Sequence, residues 1–198
     1  MKAIKKENTM KALLCLDFIE EIIGKEGKLA SKGYRAFAEK HGTLKKVRAL
    51  QEHFRSLALP VIHVKVGFEA GYPSHPTHSP LFGKAQEFGV LQLETPATNF
   101  VAEVSPEEDE TVIVKHRVSA FFNTELNDVL KKMNITQLYV AGVATNLAVE
   151  AAVRDAHDRD YRVTVVEDAC AAADETSHKN SILTLTDLAK IITVADIY

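Results

Sequence analysis

The stretch that decides the fold is Leu138 to Asp160, LYVAGVATNLAVEAAVRDAHDRD. An apolar run breaks at Gly142, and apolar residues return at helical spacing after Asn146. This pattern predicts a strand, a sharp turn and a helix. In an open α/β sheet, ligands collect where a strand gives way to a helix, because the free N–H groups of the first helical turn attract negative charge. We therefore expect the functional site at this turn.

The bulk composition restricts the class of protein. The chain has 198 residues, of which 46% are hydrophobic and 26% charged, as expected for one α/β domain with a substantial core. We expect a single domain at residues 11–198 and a polar N-terminal tail at residues 1–10. The formal net charge is −3, and no dense run of Lys or Arg is interleaved with aromatic residues. Nucleic acid and membrane surfaces are therefore not expected as partners.

Cysteine usage and the N-terminal segment indicate the compartment. Cys15 and Cys170 each lie in or just after an apolar stretch, and no spaced cysteine framework is present. This usage predicts a reduced, cytoplasmic protein. The segment MKAIKKENTM is polar and basic, and only a short apolar run follows it, without a small-residue cleavage site. We expect neither a signal peptide nor a membrane anchor.

Two other apolar runs end in charged residues. KALLCLDF predicts a central strand buried on both faces, with Asp17 at its end. An isolated acid at a strand end is a helix cap about as often as a catalytic group, so Asp17 alone leaves both interpretations open. TVIVKHR places Lys115, His116 and Arg117 at the end of a second strand. For these cations alone, a solvated strand edge is the favoured interpretation.

The irregular segment 67–96 contains an H-x-x-H pair, His75 and His78. A loop of this length in a compact domain is usually a lid, a binding loop or an oligomer contact. Two imidazoles three residues apart bind zinc when a third ligand is near. Pro76 argues against a helix between them, and no carboxylate stands close by in the sequence. We therefore expect no metal and no cofactor.

Three segments resemble the isochorismatase-like hydrolases, also called the cysteine hydrolase superfamily. GVATNLAVEAAVRDA resembles the family pattern GVxTNxCVxxTxRDA, KHRVSAFFNTEL resembles K-x-R-x-S-A-F-x-x-T-x-L, and VVEDACAA resembles VxEDAC(A/S)A. The matches keep their order and spacing from about Lys11 to Ile192. The resemblance implies a three-layer α/β sandwich whose six-stranded parallel sheet is similar to a Rossmann arrangement, with right-handed crossovers.

The resemblance also implies roles for individual residues. Typical members combine an Asp, a Lys and a nucleophilic Cys, and the matching positions here are Asp17, Lys115 and Ala148. In such members the thiolate attacks an amide or related carbonyl carbon, the Asp transfers the proton and the Lys stabilises charge. A cis peptide bond is implied between Val143 and Ala144, and it would turn N–H groups toward an oxyanion.

Further positions follow from the same motifs. The implied oxyanion turn comprises Val143, Ala144 and Thr145, and the implied substrate-binding residues are Arg117, Ser119, Phe121 and Asn146. Arg117 is equally suited to a substrate anion and to a salt bridge. The metal-binding nicotinamidases of the superfamily carry an Asp-Trp-His-Pro segment, and this chain has no tryptophan. Family members are commonly dimers or tetramers, so we expect a homodimer or homotetramer acting on a small molecule.

Ala148 departs from the family pattern at the nucleophile, because a methyl group cannot attack a carbonyl carbon. Isochorismatases also lack the cysteine, and they hydrolyse a vinyl ether by protonating its double bond, a step that needs only an acid. They carry a GVYAH-type turn, however, where this chain has GVATN. Three alternatives stay open: a hydrolase using Asp17 as acid/base and Lys115 for charge stabilisation, a binding protein on the same scaffold, and a cysteine hydrolase carrying a Cys→Ala change. We expect the first.

Overall fold

The computed structural model describes residues 10–198, so residues 1–9 of the expected tail lie outside the described part. The strands are β1 Met10–Leu16, β2 Val61–Val66, β3 Thr111–Lys115, β4 Ile135–Val143, β5 Arg162–Ala171 and β6 Lys190–Ile192. They form one six-stranded sheet in the order β3-β2-β1-β4-β5-β6, and every neighbouring pair is parallel. The fold class implied by the resemblance is therefore confirmed.

Seven α-helices belong to the described residues. They are α1 Glu20–Ile23, α2 Tyr34–His41, α3 Thr43–Ser56, α4 Ala85–Phe88, α5 Leu126–Lys132, α6 Glu150–His157 and α7 Glu175–Leu185. The longest, α3, has 14 residues. None of the helices within residues 10–198 is long and apolar enough to cross a membrane.

The helices cover both faces of the sheet. Along β1, successive side chains point to opposite faces, so its apolar run serves two cores. Leu14 packs in a core cluster with Leu130 of α5 and Val153 of α6. Leu13 packs in a second cluster with Leu50 and Phe54 of α3. This arrangement gives three layers with the sheet in the middle.

The order of the strands reverses at β1, which pairs with β2 on one side and with β4 on the other. The helices that follow β1 and β4 pack on opposite faces, α3 in the cluster of Leu13 and α6 in the cluster of Leu14, and a crevice opens at the carboxyl ends of the strands. A third, smaller apolar cluster lies beside this crevice and includes Ile19, Phe68, Phe82 and Leu91. The irregular segment 67–96 is therefore folded against the end of β1.

Candidate active site

Three strands end at this crevice. Asp17 follows β1, Lys115 is the last residue of β3, and Val143 is the last residue of β4. The Val143–Ala144 peptide bond is cis. A π-helical turn, Thr145–Val149, follows and leads into α6. The strand-to-helix turn that the sequence predicted therefore lies at this crevice.

Asp17 and Lys115 form a buried ion pair. Asp17 Oδ2 and Lys115 Nζ are 2.8 Å apart, and the two residues are 3% and 1% exposed. The N–H of Val66 donates to Asp17 Oδ1 at 2.7 Å, and Lys115 Nζ donates to the carbonyl of Val118 at 2.7 Å. Asp17 has a φ of 58°, in the left-handed region that non-glycine residues rarely adopt. The surrounding contacts thus hold the carboxyl group in one orientation.

Burial sets the protonation of Asp17. Removal of the carboxyl group from water raises its pKa above the usual value, and the Lys115 ammonium and the Val66 N–H offset this effect only in part. The raised pKa makes this carboxyl group easier to protonate than a free aspartate. Asp17 is therefore suited to donate a proton.

Asp17 and Lys115 lie at one end of a cavity of about 190 Å³. Val143, Ala144 and Ala148 line the same cavity. Its remaining lining side chains are largely apolar and come from β2, from the segments after β1, β2, β3 and β4, and from around α4. Those side chains are Ile22, Leu29, Val66, Pro80, Leu81, Phe82, Ala85, Phe88, Val90, Leu91, Val118 and Leu147, with Lys32, Tyr34 and Lys84 as the polar members.

Helix α7 supports the turn after the cis peptide bond. Thr145 Oγ1 and His178 Nδ1 are hydrogen-bonded at 2.9 Å, and Ser181 Oγ donates to the carbonyl of Thr145 at 3.1 Å. Burial lowers the pKa of His178, which favours the neutral ring. His178 is not among the site residues that the motifs predict. The available signal was the spacing of three residues between His178 and Ser181, which places both on one face of a helix.

Neither cysteine reaches the cavity. Cys15 points into the core beneath α3, where Gln51 Nε2 donates to its sulfur at 3.7 Å. Cys170 packs in the opposite core and donates to the carbonyl of Val166 at 3.4 Å. Burial raises the pKa of each thiol to about 12. Both sulfurs are thus poor nucleophiles, and no cysteine of residues 10–198 lines the cavity.

The structure locates Arg117 outside the lining of this cavity. Arg117 Nη1 donates to the carbonyls of Ser74 at 2.9 Å and His116 at 2.7 Å. These bonds tie the end of β3 to the irregular segment 67–96. Asn146 is exposed and likewise does not belong to the lining residues.

Ser119 and Phe121 contact α6 instead of lining the cavity. Ser119 Oγ donates to the carboxylate of Asp155 and accepts the N–H of Phe121 at 3.0 Å. Phe121 is 4% exposed and packs in the core cluster of that face. The Arg159 guanidinium lies 4.9 Å from the centre of its ring. In this arrangement both residues fix the chain after β3 onto α6.

The two histidines of the irregular segment, His75 and His78, do not belong to a group of metal ligands among residues 10–198. His75 Nδ1 is hydrogen-bonded to the carbonyl of Tyr72 at 2.6 Å, and His78 is exposed. Within residues 10–198, no group of three or more His, Cys, Asp and Glu side chains is arranged to hold a metal ion.

Comparison with known proteins identifies relatives along the chain. Residues 11–196 match the isochorismatase domain. The chain is 37% identical over 122 residues to the uncharacterised isochorismatase family protein YddQ of Bacillus subtilis (strain 168), an alignment that covers 62% of this chain and 59% of YddQ. It is 43% identical over 83 residues to a probable inactive nicotinamidase of Arabidopsis thaliana, covering 41% of this chain and 42% of that protein. The chain thus spans less than two thirds of these relatives' length.

A solved structure supports the same relationship. The N-carbamoylsarcosine amidase of Thermoplasma acidophilum superposes with a TM-score of 0.74 at 25% sequence identity. The match covers 94% of this chain and 97% of that chain. The shared architecture therefore extends over nearly the whole sheet and its helices.

Proposed function

This chain belongs to the isochorismatase family of hydrolases, and from that premise we propose that it hydrolyses a small molecule by acid catalysis with water, without a covalent intermediate. Asp17 is the general acid and base, and Lys115 stabilises charge beside it. Ala148 occupies the position where the family motif has its nucleophilic cysteine. A vinyl ether is the bond that best matches this set of groups.

The observation that carries the proposal is the ion pair at the buried end of the cavity. A buried carboxyl group whose pKa is raised takes up a proton more readily than a free aspartate, and general acid catalysis contributes about 10²- to 10⁴-fold to a rate. Asp17 and Lys115 line the same cavity as the methyl group of Ala148. The machinery for proton transfer is present where the nucleophile is missing.

The proposed reaction balances without a protein nucleophile. The Asp17 carboxyl group protonates the terminal carbon of the double bond, and the positive charge is shared between the other carbon and the ether oxygen. Water adds to that carbon, and its proton returns to the Asp17 carboxylate. The resulting hemiketal then collapses to a ketone and an alcohol. Lys115 stabilises the carboxylate while it is ionised.

A second candidate is a binding protein that has lost its chemistry. Ala148 favours it, because the residue removes the nucleophile that covalent amide hydrolysis requires. The name of the Arabidopsis relative, a probable inactive nicotinamidase, is consistent with loss of activity elsewhere in the family. The position of the buried Asp17–Lys115 pair favours activity, because both residues line the cavity that a ligand would occupy.

The test is turnover of a panel of vinyl ethers, including isochorismate, and of small amides and ureides. The unmodified chain is compared with Asp17→Asn and Ala148→Cys, and Asp187→Asn at an exposed position serves as the matched control. We expect the unmodified chain and Asp187→Asn to hydrolyse a vinyl ether and Asp17→Asn to be inactive. Mass spectrometry should detect no acyl-enzyme on the unmodified chain.

Three other outcomes would each lead to a different conclusion about the function. Activity that appears only in Ala148→Cys, on amides and with an acyl-enzyme, would identify the chain as a cysteine hydrolase without its nucleophile. Equal turnover by the unmodified chain and Asp17→Asn would remove Asp17 from the mechanism. Inactivity of every variant on the whole panel would favour the binding protein.

A further inference from the structure

The cavity that contains Asp17 and Lys115 changes in character along its length. At the buried end, Asp17 and Lys115 are almost completely shielded from solvent. At the open end the lining side chains are exposed, with Leu81 at 50% and Phe88 at 56%. Most of the other side chains that line the cavity are apolar. A ligand that fills the cavity thus meets a proton-transfer group at one end, the rim at the other, and mostly apolar side chains.

The rim is positively charged. Lys32 and Lys84 both line the cavity and are exposed, and among residues 10–198 Asp17 is the only acidic residue that lines it. Neither ammonium group has a hydrogen-bond or ion-pair partner among residues 10–198. Lys84 Nζ lies 5.9 Å from the centre of the Phe88 ring, which belongs to the same rim. The field at the mouth therefore attracts anions.

The neighbouring Lys28 provides a contrast within the same region. Lys28 Nζ donates to the carbonyls of Phe88 at 3.0 Å and Gly89 at 3.3 Å, at the C-terminal end of α4. Its ammonium group is thus used by the fold. Lys32 and Lys84 have no such structural use, although they lie on the same two segments of chain.

Those two segments are held in place. Glu21, which is 3% exposed, accepts the N–H of Lys28 at 2.8 Å and the N–H of Leu91 at 3.4 Å, so one carboxylate joins both segments. Gly33 ends the turn that carries Lys32, with a φ of 112°, and a Cβ there would lie 2.1 Å from the carbonyl oxygen of Ala173. The backbone positions of the rim are therefore fixed before a ligand binds.

We propose that Lys32 and Lys84 bind the anionic group of the ligand, and that the ligand is an organic acid with an apolar body between its carboxylate and its other end. In the reaction proposed above, the bond to be broken lies at that other end, beside Asp17. The proposed binding of the anionic group rests on the two rim lysines alone. Only the position of the bond to be broken rests on the proposed function.

The test measures binding, so it does not require the chain to be active. The probes are 3-phenylpropanoate and the neutral 3-phenylpropan-1-ol, which share an apolar body and contain no hydrolysable bond. Calorimetric titration compares the unmodified chain with Lys32→Gln, Lys84→Gln and the double variant. Lys45→Gln, at an exposed lysine of α3 that does not line the cavity, is the matched control.

We expect the acid to bind more tightly than the alcohol. Each rim substitution should weaken acid binding about two- to fivefold, the double variant about tenfold, and added salt should act in the same direction. Binding of the alcohol should stay within about twofold in every variant, and Lys45→Gln should bind both probes normally.

Three results would overturn the proposal. An acid preference that survives both rim substitutions would locate the carboxylate elsewhere, for example beside Lys115. Equal affinity for acid and alcohol in the unmodified chain would show that the rim charge is not used. Absence of binding by either probe would remove the apolar acid as the ligand class, whether or not the chain proves to be a hydrolase.

Discussion

Two ionic clusters lie at opposite ends of the same strand, β3. Glu110 immediately precedes this strand, and Lys115 is its last residue. Glu110 is bound by both Nε and Nη2 of Arg55 at 2.8 Å and by His63 Nε2 at 2.9 Å, and it also accepts the N–H of Glu107. Asp17, at the other end, has one cation and one backbone N–H.

The two carboxyl groups respond differently to burial. Burial opposes ionisation of Glu110, but the hydrogen bonds from Arg55, the Glu107 N–H and His63 outweigh it and lower the pKa. For Asp17 burial dominates, and the pKa is raised. Asp17 is more deeply buried than Glu110 and is bound by fewer donors, so burial prevails at Asp17 alone. The fully satisfied cluster stabilises the fold, whereas the less satisfied one, open to a cavity, is available for chemistry.

The largest effect expected from this comparison is on turnover. Asp17→Asn should lower kcat about 10²- to 10⁴-fold because it removes the proton donor. Glu110→Gln should leave kcat within about twofold, because its cluster lies at the opposite end of the strand and away from the cavity. Steady-state kinetics on the substrate identified by the panel measures both. A comparable loss of kcat in the two variants would show that the two clusters do not differ in their contribution to turnover.

The second effect is on stability, and it is expected from substitution of Glu110 instead of Asp17. Glu110→Gln should lower the free energy of unfolding by about 2 kcal/mol, because it weakens a charge-assisted, bidentate bond to a partly exposed Arg55. Urea denaturation measures this as a lower midpoint at an unchanged slope. Glu52→Gln is the control, since its pair with Arg48 is exposed and should contribute less than about 0.5 kcal/mol. A loss no larger than that of the control would remove the structural role of Glu110.

The pH dependence of stability should differ in sign between the clusters. Because the pKa of Glu110 is lowered from 4.5, its contribution is present above that pH and is lost as the pH falls through the lower folded value. Because the pKa of Asp17 is raised from 3.8, the native state retains a proton that the unfolded chain releases, so wild-type stability falls relative to Asp17→Asn as the pH rises above about 4. Urea denaturation at about four pH values between about pH 3 and 7 would measure both differences. Parallel profiles for the two variants would contradict the assigned pKa directions.

The smallest effect concerns the support of the site by α7. His178→Asn should lower kcat about fivefold with KM nearly unchanged, because one hydrogen bond to Thr145 is worth about 1 kcal/mol. His157→Asn, at a histidine paired only with the exposed Asp158, should leave kcat unchanged. A lower melting temperature with normal kcat would assign His178 to folding alone.

The family motifs predicted some of the residues that line the cavity, but they did not predict which other elements the remaining motif residues contact. Asp17, Lys115 and Ala148 line one cavity, as their motif positions led us to expect, although their catalytic roles stay predictions. Ser119 and Phe121 match the family motif equally well but contact α6. A motif fixes which residues follow one another along the chain, and it does not state which neighbouring element each side chain will contact.

What the sequence determined by itself was local. Continuous apolar runs predict strands buried on both faces, and an apolar run that breaks at Gly142 and resumes at helical spacing predicts the strand, turn and helix. That residue 148 is alanine is likewise read from the sequence alone, and that it replaces a nucleophilic cysteine stays a prediction. These features depend only on side chains close together in the chain.

The tertiary structure decided everything that depends on strand order and burial. β3 and β1 are separated by β2 in the sheet, yet the long side chain of Lys115 reaches Asp17, and only their shared burial raises the pKa of the acid. The rim lysines come from irregular segments without periodicity, which are joined through the carboxylate of Glu21. Electrostatic energies depend on distances and on exclusion of water, and neither quantity is a property of sequence spacing.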